Sequence, residues 1–282
     1  MKFGVSSLLW LGQWTDDACG LVERCKRFGF EVIEIPLFNL DFDAAKLRQT
    51  LVATGMEGVG CIALGPAQDI TSSDPAVRAA GTIFLKQCID KVNGWGGASL
   101  GGVISSAIGK NVGRPANQDE WQWSAECLKE VAQYANQAGV LLGLEVINRY
   151  ETYFINTLAQ ARRLIEMIAE PNVKILADTY HMNVEEKDFY TPLVESDGLV
   201  GYIHFAENDR GLIGTGHVDW PGIFKGLAEI NFTGTGSIES FVLEVPGLAG
   251  ATNTWRRLAA SADTLASEGL AFLKQTAAKY GL

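Results

Sequence analysis

Eight short apolar runs punctuate the chain, and a longer amphipathic run follows each. The apolar runs are Phe3–Ser7, Glu31–Pro36, Gly58–Leu64, Ser99–Ser105, Val140–Ile147, Val173–Asp178, Leu199–Phe205 and Thr235–Phe241. Near-continuous apolar runs of this length suit strands covered on both faces. The intervening runs read as helices. Thr15 is placed to cap a helix that runs towards Phe28 and stops at Gly29. Ser73-Asp74-Pro75 opens a second, with proline at its first helical position. Thr157-Leu158-Ala159-Gln160 reads as a capping box, and Pro171 follows the helix it starts. Gln118 to Ala138 and Thr252 to Tyr280 are the longest helical stretches.

Eight strand–helix units over residues 1–282 predict one α/β domain, a (β/α)8 TIM barrel. A doubly wound sheet is the alternative. It is weakened because no G-x-G-x-x-G or phosphate-loop run is present. Gly94, Gly96, Gly97, Gly101 and Gly102 flank the fourth run and read as sites of tight packing rather than a phosphate cradle.

In such a barrel the functional groups sit where the strands end, on one rim. The fifth run carries Glu145, the sixth ends on Asp178, and the seventh and eighth carry His204 and Glu239. Adjacent strands lie roughly 5 Å apart, so four consecutive strands can aim four ligands at one ion. A lone Glu there is an ordinary salt-bridge partner, and a lone His an ordinary core residue. Three carboxylates buried together without a cation would cost several kcal/mol. Three oxygen ligands and one imidazole favour Mn²⁺ or Co²⁺, with Mg²⁺ possible, over a structural zinc.

The segments around these residues carry a resemblance. GLEVINRYE (143–151), ADTYHMNVEE (177–186), GYIHFAENDRG (201–211) and IESF (238–241) resemble the D-tagatose/D-psicose 3-epimerase family of ketose 3-epimerases, in the same order and spacing. The wider relatives are sugar isomerases and endonuclease-IV-like barrels. The resemblance runs through most of the chain, including Trp14 and the C-terminal TWRRL. It implies one divalent metal on Glu145, Asp178, His204 and Glu239, and sugar contacts from Glu151, His181 and Arg210. It also implies a homodimer or homotetramer. Glu145 and Glu239 would be the catalytic pair, one on each face of the sugar. Inverting C3 of a ketose needs a proton removed from one face and returned to the other, through a cis-enediolate that the metal stabilises.

The resemblance is incomplete at the far end of the pocket. Several relatives carry a Trp in the loop after the fourth strand, where GGVISSAIGKN offers Ile108. Ser6 stands where some relatives have an aromatic residue. Ser6 and Trp14 are therefore added to the candidate sugar contacts, with Trp10 and Trp14 either an apolar wall against the sugar or plain core. His217 matches no ligand and reads as structural.

Charge and cysteines narrow the rest. With 33 acidic and 23 basic residues the net charge is -10, the wrong sign for tracking phosphates, so no nucleic acid is expected as partner. Three histidines are too few for a multi-metal phosphodiesterase of this barrel type. No run of 18 apolar residues exists, and Gln13 and Trp14 fall where a leader cleavage site would lie, so neither a membrane span nor a secretory signal is expected. Cys19, Cys25, Cys61, Cys88 and Cys127 are scattered and read as thiols of a cytoplasmic protein. A hydroxypyruvate- or inosose-type isomerase is the alternative activity, and a non-catalytic sugar-binding protein the alternative class.

Overall fold

Parallel strands alternate with helices along the whole of residues 1–282, which the computed structural model describes. The strands are β1 (Lys2–Ser6), β2 (Val32–Pro36), β3 (Glu57–Ala63), β4 (Ser99–Val103), β5 (Leu141–Glu145), β6 (Val173–Asp178), β7 (Val200–Phe205) and β8 (Thr235–Ile238). They pair in chain order and β8 closes on β1. Around them lie α1 (Gly20–Phe28), α2 (Ala44–Thr54), α3 (Pro75–Trp95), α4 (Gln118–Gln137), α5 (Leu158–Ile168), α6 (Thr179–Glu185), α7 (Tyr190–Glu195), α8 (Trp220–Glu229), the one-turn α9 (Leu248–Ala251) and α10 (Ala262–Lys279). The arrangement is a (β/α)8 barrel.

Each predicted run overlaps its strand, but several strands stop short. β4 ends at Val103, β5 at Glu145 and β8 at Ile238. The residues just beyond, such as Ile104, Val146 and Glu239, stay buried, and the Glu239 N–H still donates to the Phe205 carbonyl. Gly94, Gly97, Gly101 and Gly102 pack tightly, as expected, whereas Gly96 is the left-handed cap that ends α3. At Gly102, with φ +120, a Cβ would sit 1.9 Å from the Ile62 carbonyl oxygen.

The helix signals hold at α3, α4 and α5. Asp74 accepts from the Ala76 N–H, and Asn117–Glu120 and Thr157–Gln160 form reciprocal capping boxes. Two expectations need correction. Thr15 heads only a 3₁₀ turn, Asp16–Cys19, without a side-chain cap, and α1 starts at Gly20. The stretch from Thr252 is not helical until Ala262, where Ser261 accepts from the Thr264 N–H. The intervening TWRRLAAS has its polar groups tied elsewhere, as in the pair of Arg256 with Asp209 at 2.8 Å.

One continuous apolar core joins barrel and helices. A separate small cluster of Leu8, Phe241, Val245 and Leu248 lies on the rim, where the segment after β8 folds over the barrel mouth.

Candidate active site

Four strand ends deliver the predicted group. The ligand atoms of Glu145, Asp178, His204 and Glu239 all lie within 4.8 Å of one another, and all four residues are buried. His204 is in register with Asp178 on one side and Ser237 on the other. Its Nδ1 is 3.2 Å from Glu145 Oε1, 3.6 Å from Glu239 Oε1 and 3.7 Å from Asp178 Oδ2.

Local structure fixes each carboxylate. Asp178 is the last residue of β6 and the N-cap of α6, so Oδ1 accepts from the N–H groups of Tyr180 and His181. Oδ2 is left without a hydrogen bond, as is Glu239 Oε2, though both are fully buried. Arg210 Nη2 lies 3.2 Å from Glu239 Oε2 and 3.8 Å from Asp178 Oδ2, and both oxygens keep lone pairs that a bound cation can take. The separations among the four ligand atoms are ones a small ion with metal–oxygen bonds of about 2.1 Å can bridge. The four residues therefore could hold a metal ion.

Electrostatics separates the four. Burial works to raise the Asp178 carboxyl, but the His181 ring, the nearby His204 ring and the Arg210 charge outweigh it and hold it well below the ordinary range. Glu239 goes the other way. Burial, reinforced by Glu145 and Asp178, pushes it up to about 8 against the pull of His204 and Arg210. Burial would lower His204, but Glu34 and Glu239 around it raise it well above the ordinary histidine value.

Next to this group lies a cavity of about 680 Å³. Glu145, Glu151, His181, Arg210 and Glu239 give it one polar wall. Leu8, Phe38, Ile62, Ile108, Phe241 and Leu248 give it an apolar one. Burial pushes His181 down to about 4, so the ring is neutral near pH 7. The Asn148 backbone N–H donates to Nδ1 at 3.0 Å, which places the ring proton on Nε2. Arg210 Nη2 sits 3.0 Å from that same nitrogen. Both residues line the cavity, where each has an N–H to offer an oxygen. Arg210 also lies 3.2 Å from Glu239 Oε2 and keeps a buried Nε without a partner.

Arg210 holds this position in a left-handed backbone conformation, φ 58. Two groups lock it. The Ser240 hydroxyl donates to its carbonyl, and the buried Glu207 carboxylate gathers the loop by accepting from Gly214 N–H, Val218 N–H and the Trp220 indole. Glu151 is tied to Asn148 at 2.9 Å.

Trp14 and Ser6 are corrected. Trp14 is completely buried in the core and does not reach the cavity. Trp10 is held away by its indole bond to Asp263 and by stacking on Phe28. Ser6 is buried and caps the 3₁₀ turn Ser7–Leu9, and that turn brings Leu8 to the cavity instead. Ile108 lines the cavity. His217 is exposed, outside the site.

Residues 22–276 match the family described as xylose isomerase-like TIM barrel. The chain is 36% identical to the ketose 3-epimerase of Arthrobacter globiformis, over 97% of this chain and 96% of that one. It is 34% identical to the L-ribulose 3-epimerase of a Methylomonas species, over 98% of this chain and 97% of the relative. The chain belongs to the ketose 3-epimerases. The crystal structure of the Methylomonas D-allulose 3-epimerase superposes with a TM-score of 0.94 at 34% identity, covering 98% of this chain and 97% of that one. As a member of the ketose 3-epimerases the chain is an enzyme of the isomerase class. No helix is long and apolar enough to cross a membrane.

Sequence reasoning missed several of these residues. Glu34, Phe38 and the segment from Pro246 to Thr252 lie outside the segments that carry the resemblance, and Asn148 and Glu207 lie inside two of them without a role being assigned. Only Glu34 left a signal, as a carboxylate inside the apolar run VIEIP.

Proposed function

We propose that this enzyme inverts C3 of free ketoses of the D-tagatose, D-psicose, D-fructose or L-ribulose type. Glu145, Asp178, His204 and Glu239 hold one divalent ion, with Mn²⁺ or Co²⁺ suited to three oxygens and one imidazole and Mg²⁺ the harder alternative. The observation that carries the reading is the pair of buried carboxylates, Glu145 at the end of β5 and Glu239 just after β8, that both line the cavity. Glu145 and Glu239 come from strands three apart around the barrel, so they reach a sugar between them from different sides. One removes the C3 proton and the other returns a proton to the opposite face. The bound ion supplies positive charge where negative charge develops on the C2 oxygen. His181 Nε2–H and the Arg210 guanidinium donate to sugar oxygens on that side, and Glu151 accepts from a hydroxyl.

The far wall supports free sugars over sugar phosphates. It is apolar, and the only cationic side chain lining the cavity, Arg210, sits against Glu239 at the acidic end. The five free thiols fit a reducing cytoplasm. Exposed Tyr150 and Trp255 suit self-association as a homodimer or homotetramer, which light scattering tests.

The deciding experiment incubates protein loaded with Mn²⁺ or Co²⁺ with a panel of free ketoses and separates the products by chromatography. The expected products are pairs related at C3. Aldoses, or products altered only at C4, would overturn the assignment.

A further inference from the structure

We propose that Glu34, on β2 and outside the sugar cavity, is a positioning residue that fixes which nitrogen of His204 faces the metal. The inference rests on the metal reading above. His204 is held at both ring nitrogens. Nδ1 faces the three carboxylates, and Nε2 lies 3.1 Å from Glu34 Oε1, with both side chains almost wholly buried. A ring that gives the Nδ1 lone pair to a cation keeps its hydrogen on Nε2, and Glu34 is the group placed to accept it.

Glu34 is itself held in place. The Tyr202 hydroxyl donates to the same Oε1 at 2.7 Å and is also hydrogen-bonded with the Ser237 hydroxyl. This polar column descends the barrel axis from the metal group towards the opposite end. Its fit requires small residues. A Cβ at Gly4 would lie 2.3 Å from Ser237 Oγ, and Gly101 and Gly143 line the narrow space beside Glu34, Tyr202 and His204. No lysine or arginine pairs with Glu34, so the carboxylate has no ion-pair role apart from His204. It is also absent from the sugar cavity lining, so it acts through His204 and not on substrate.

The test uses the full-length protein labelled with ¹⁵N-histidine and loaded with ¹¹³Cd²⁺. Three histidines make the spectrum assignable, with His204→Gln identifying the signal. The expected result is ¹⁵N–¹¹³Cd coupling at His204 Nδ1 and a proton on Nε2. Titration with Mn²⁺ should then show Glu34→Ala weakening metal affinity about 10–100-fold and Glu34→Gln less, at the scale of lost outer ligand partners. Tyr202→Phe, which keeps the carboxylate and loses one of its donors, should weaken it by a few-fold. Ketose KM at saturating metal should be unchanged in Glu34→Gln. Coupling at Nε2, or wild-type metal affinity in both Glu34 variants, would overturn the proposal while leaving the metal site intact. Absence of any cadmium coupling to His204 in the wild-type protein would overturn the metal reading together with it.

Discussion

Metal loading at pH 7 should expel about two protons per site, because two of the four groups hold protons in the metal-free protein that a cation must displace. Glu239, pushed up to about 8, is about nine-tenths protonated at pH 7. His204 lies well above its ordinary value and carries a proton on each ring nitrogen, of which the one on Nδ1 must leave. Asp178 is held low and contributes none. Apparent affinity should therefore rise steeply with pH below pH 7, and less steeply once Glu239 has ionised above pH 8. Isothermal titration of Mn²⁺ into metal-free protein, repeated in buffers of different ionisation enthalpy, counts the protons directly. The same values set the stability of the metal-free barrel. Both groups have folded values above their unfolded ones, so their contribution is present at low pH and lost as pH rises through the folded values. A displacement of a single pH unit is worth about 1.4 kcal/mol, which shifts Tm by about 2–4 °C in a domain approaching this size. The metal-free protein should lose Tm between pH 7 and 9, and the loaded protein should not. Release of no protons between pH 6 and 9, with one metal bound, would refute the account of how the four groups share charge.

Saturating divalent metal at 100 times its Kd should stabilise the fold by about 2.7 kcal/mol, and calorimetry with and without a chelator measures it. Glu145→Gln and Glu239→Gln should each lower kcat by about 10²–10⁴-fold in metal-loaded protein, measured on C3-epimer pairs; near-wild-type turnover with metal bound would exclude the two-carboxylate route. Asn148→Ala removes the amide beside His181 Nδ1 and one bond to Glu151, and should lower ketose turnover by roughly tenfold, about the worth of one hydrogen bond, without changing metal affinity. Leu248→Ala thins the apolar wall, so discrimination among ketoses differing at C4 or C5 should change by the ~1–3 kcal/mol that such a wall supplies, read from kcat/KM across the panel.

The barrel and its metal group were legible because both are written in local pattern. Eight apolar runs, each followed by a helical stretch, match the eight parallel strands of the closed barrel, and Asp178, His204 and their two glutamates lie at or near strand ends that the runs themselves reveal. Helix starts with proline or paired capping residues were equally plain, as at Asp74-Pro75 and Thr157–Gln160. The expectation failed where the outcome depends on a partner far along the chain. Thr252 has an apolar periodicity after it, but the segment to Ser261 is held by contacts such as Arg256 with Asp209 and Arg257 with Glu244, which no helical pattern encodes. The place of Trp14 after β1 leaves wall and core equally open in sequence. Its side chain points into the core because the 3₁₀ turn Ser7–Leu9 rotates the chain and presents Leu8 instead.

Glu34 shows the deeper limit. A single carboxylate in an apolar strand is indistinguishable, in sequence, from a tolerated defect. Only closure of the barrel brings it 170 residues across the chain to His204 and gives that charge a partner. The same closure explains why the residues that do chemistry and those that aim them differ in legibility. Rim residues are read from where strands end, and any sequence that declares its strands declares its rim. Aiming residues lie inside the barrel or inside loops, as Glu207 does beneath Arg210, and their role is set by which donors the fold places around them. A carboxylate that gathers three donors at once, or that shares a histidine with a metal group, satisfies buried polar atoms that would otherwise be orphaned.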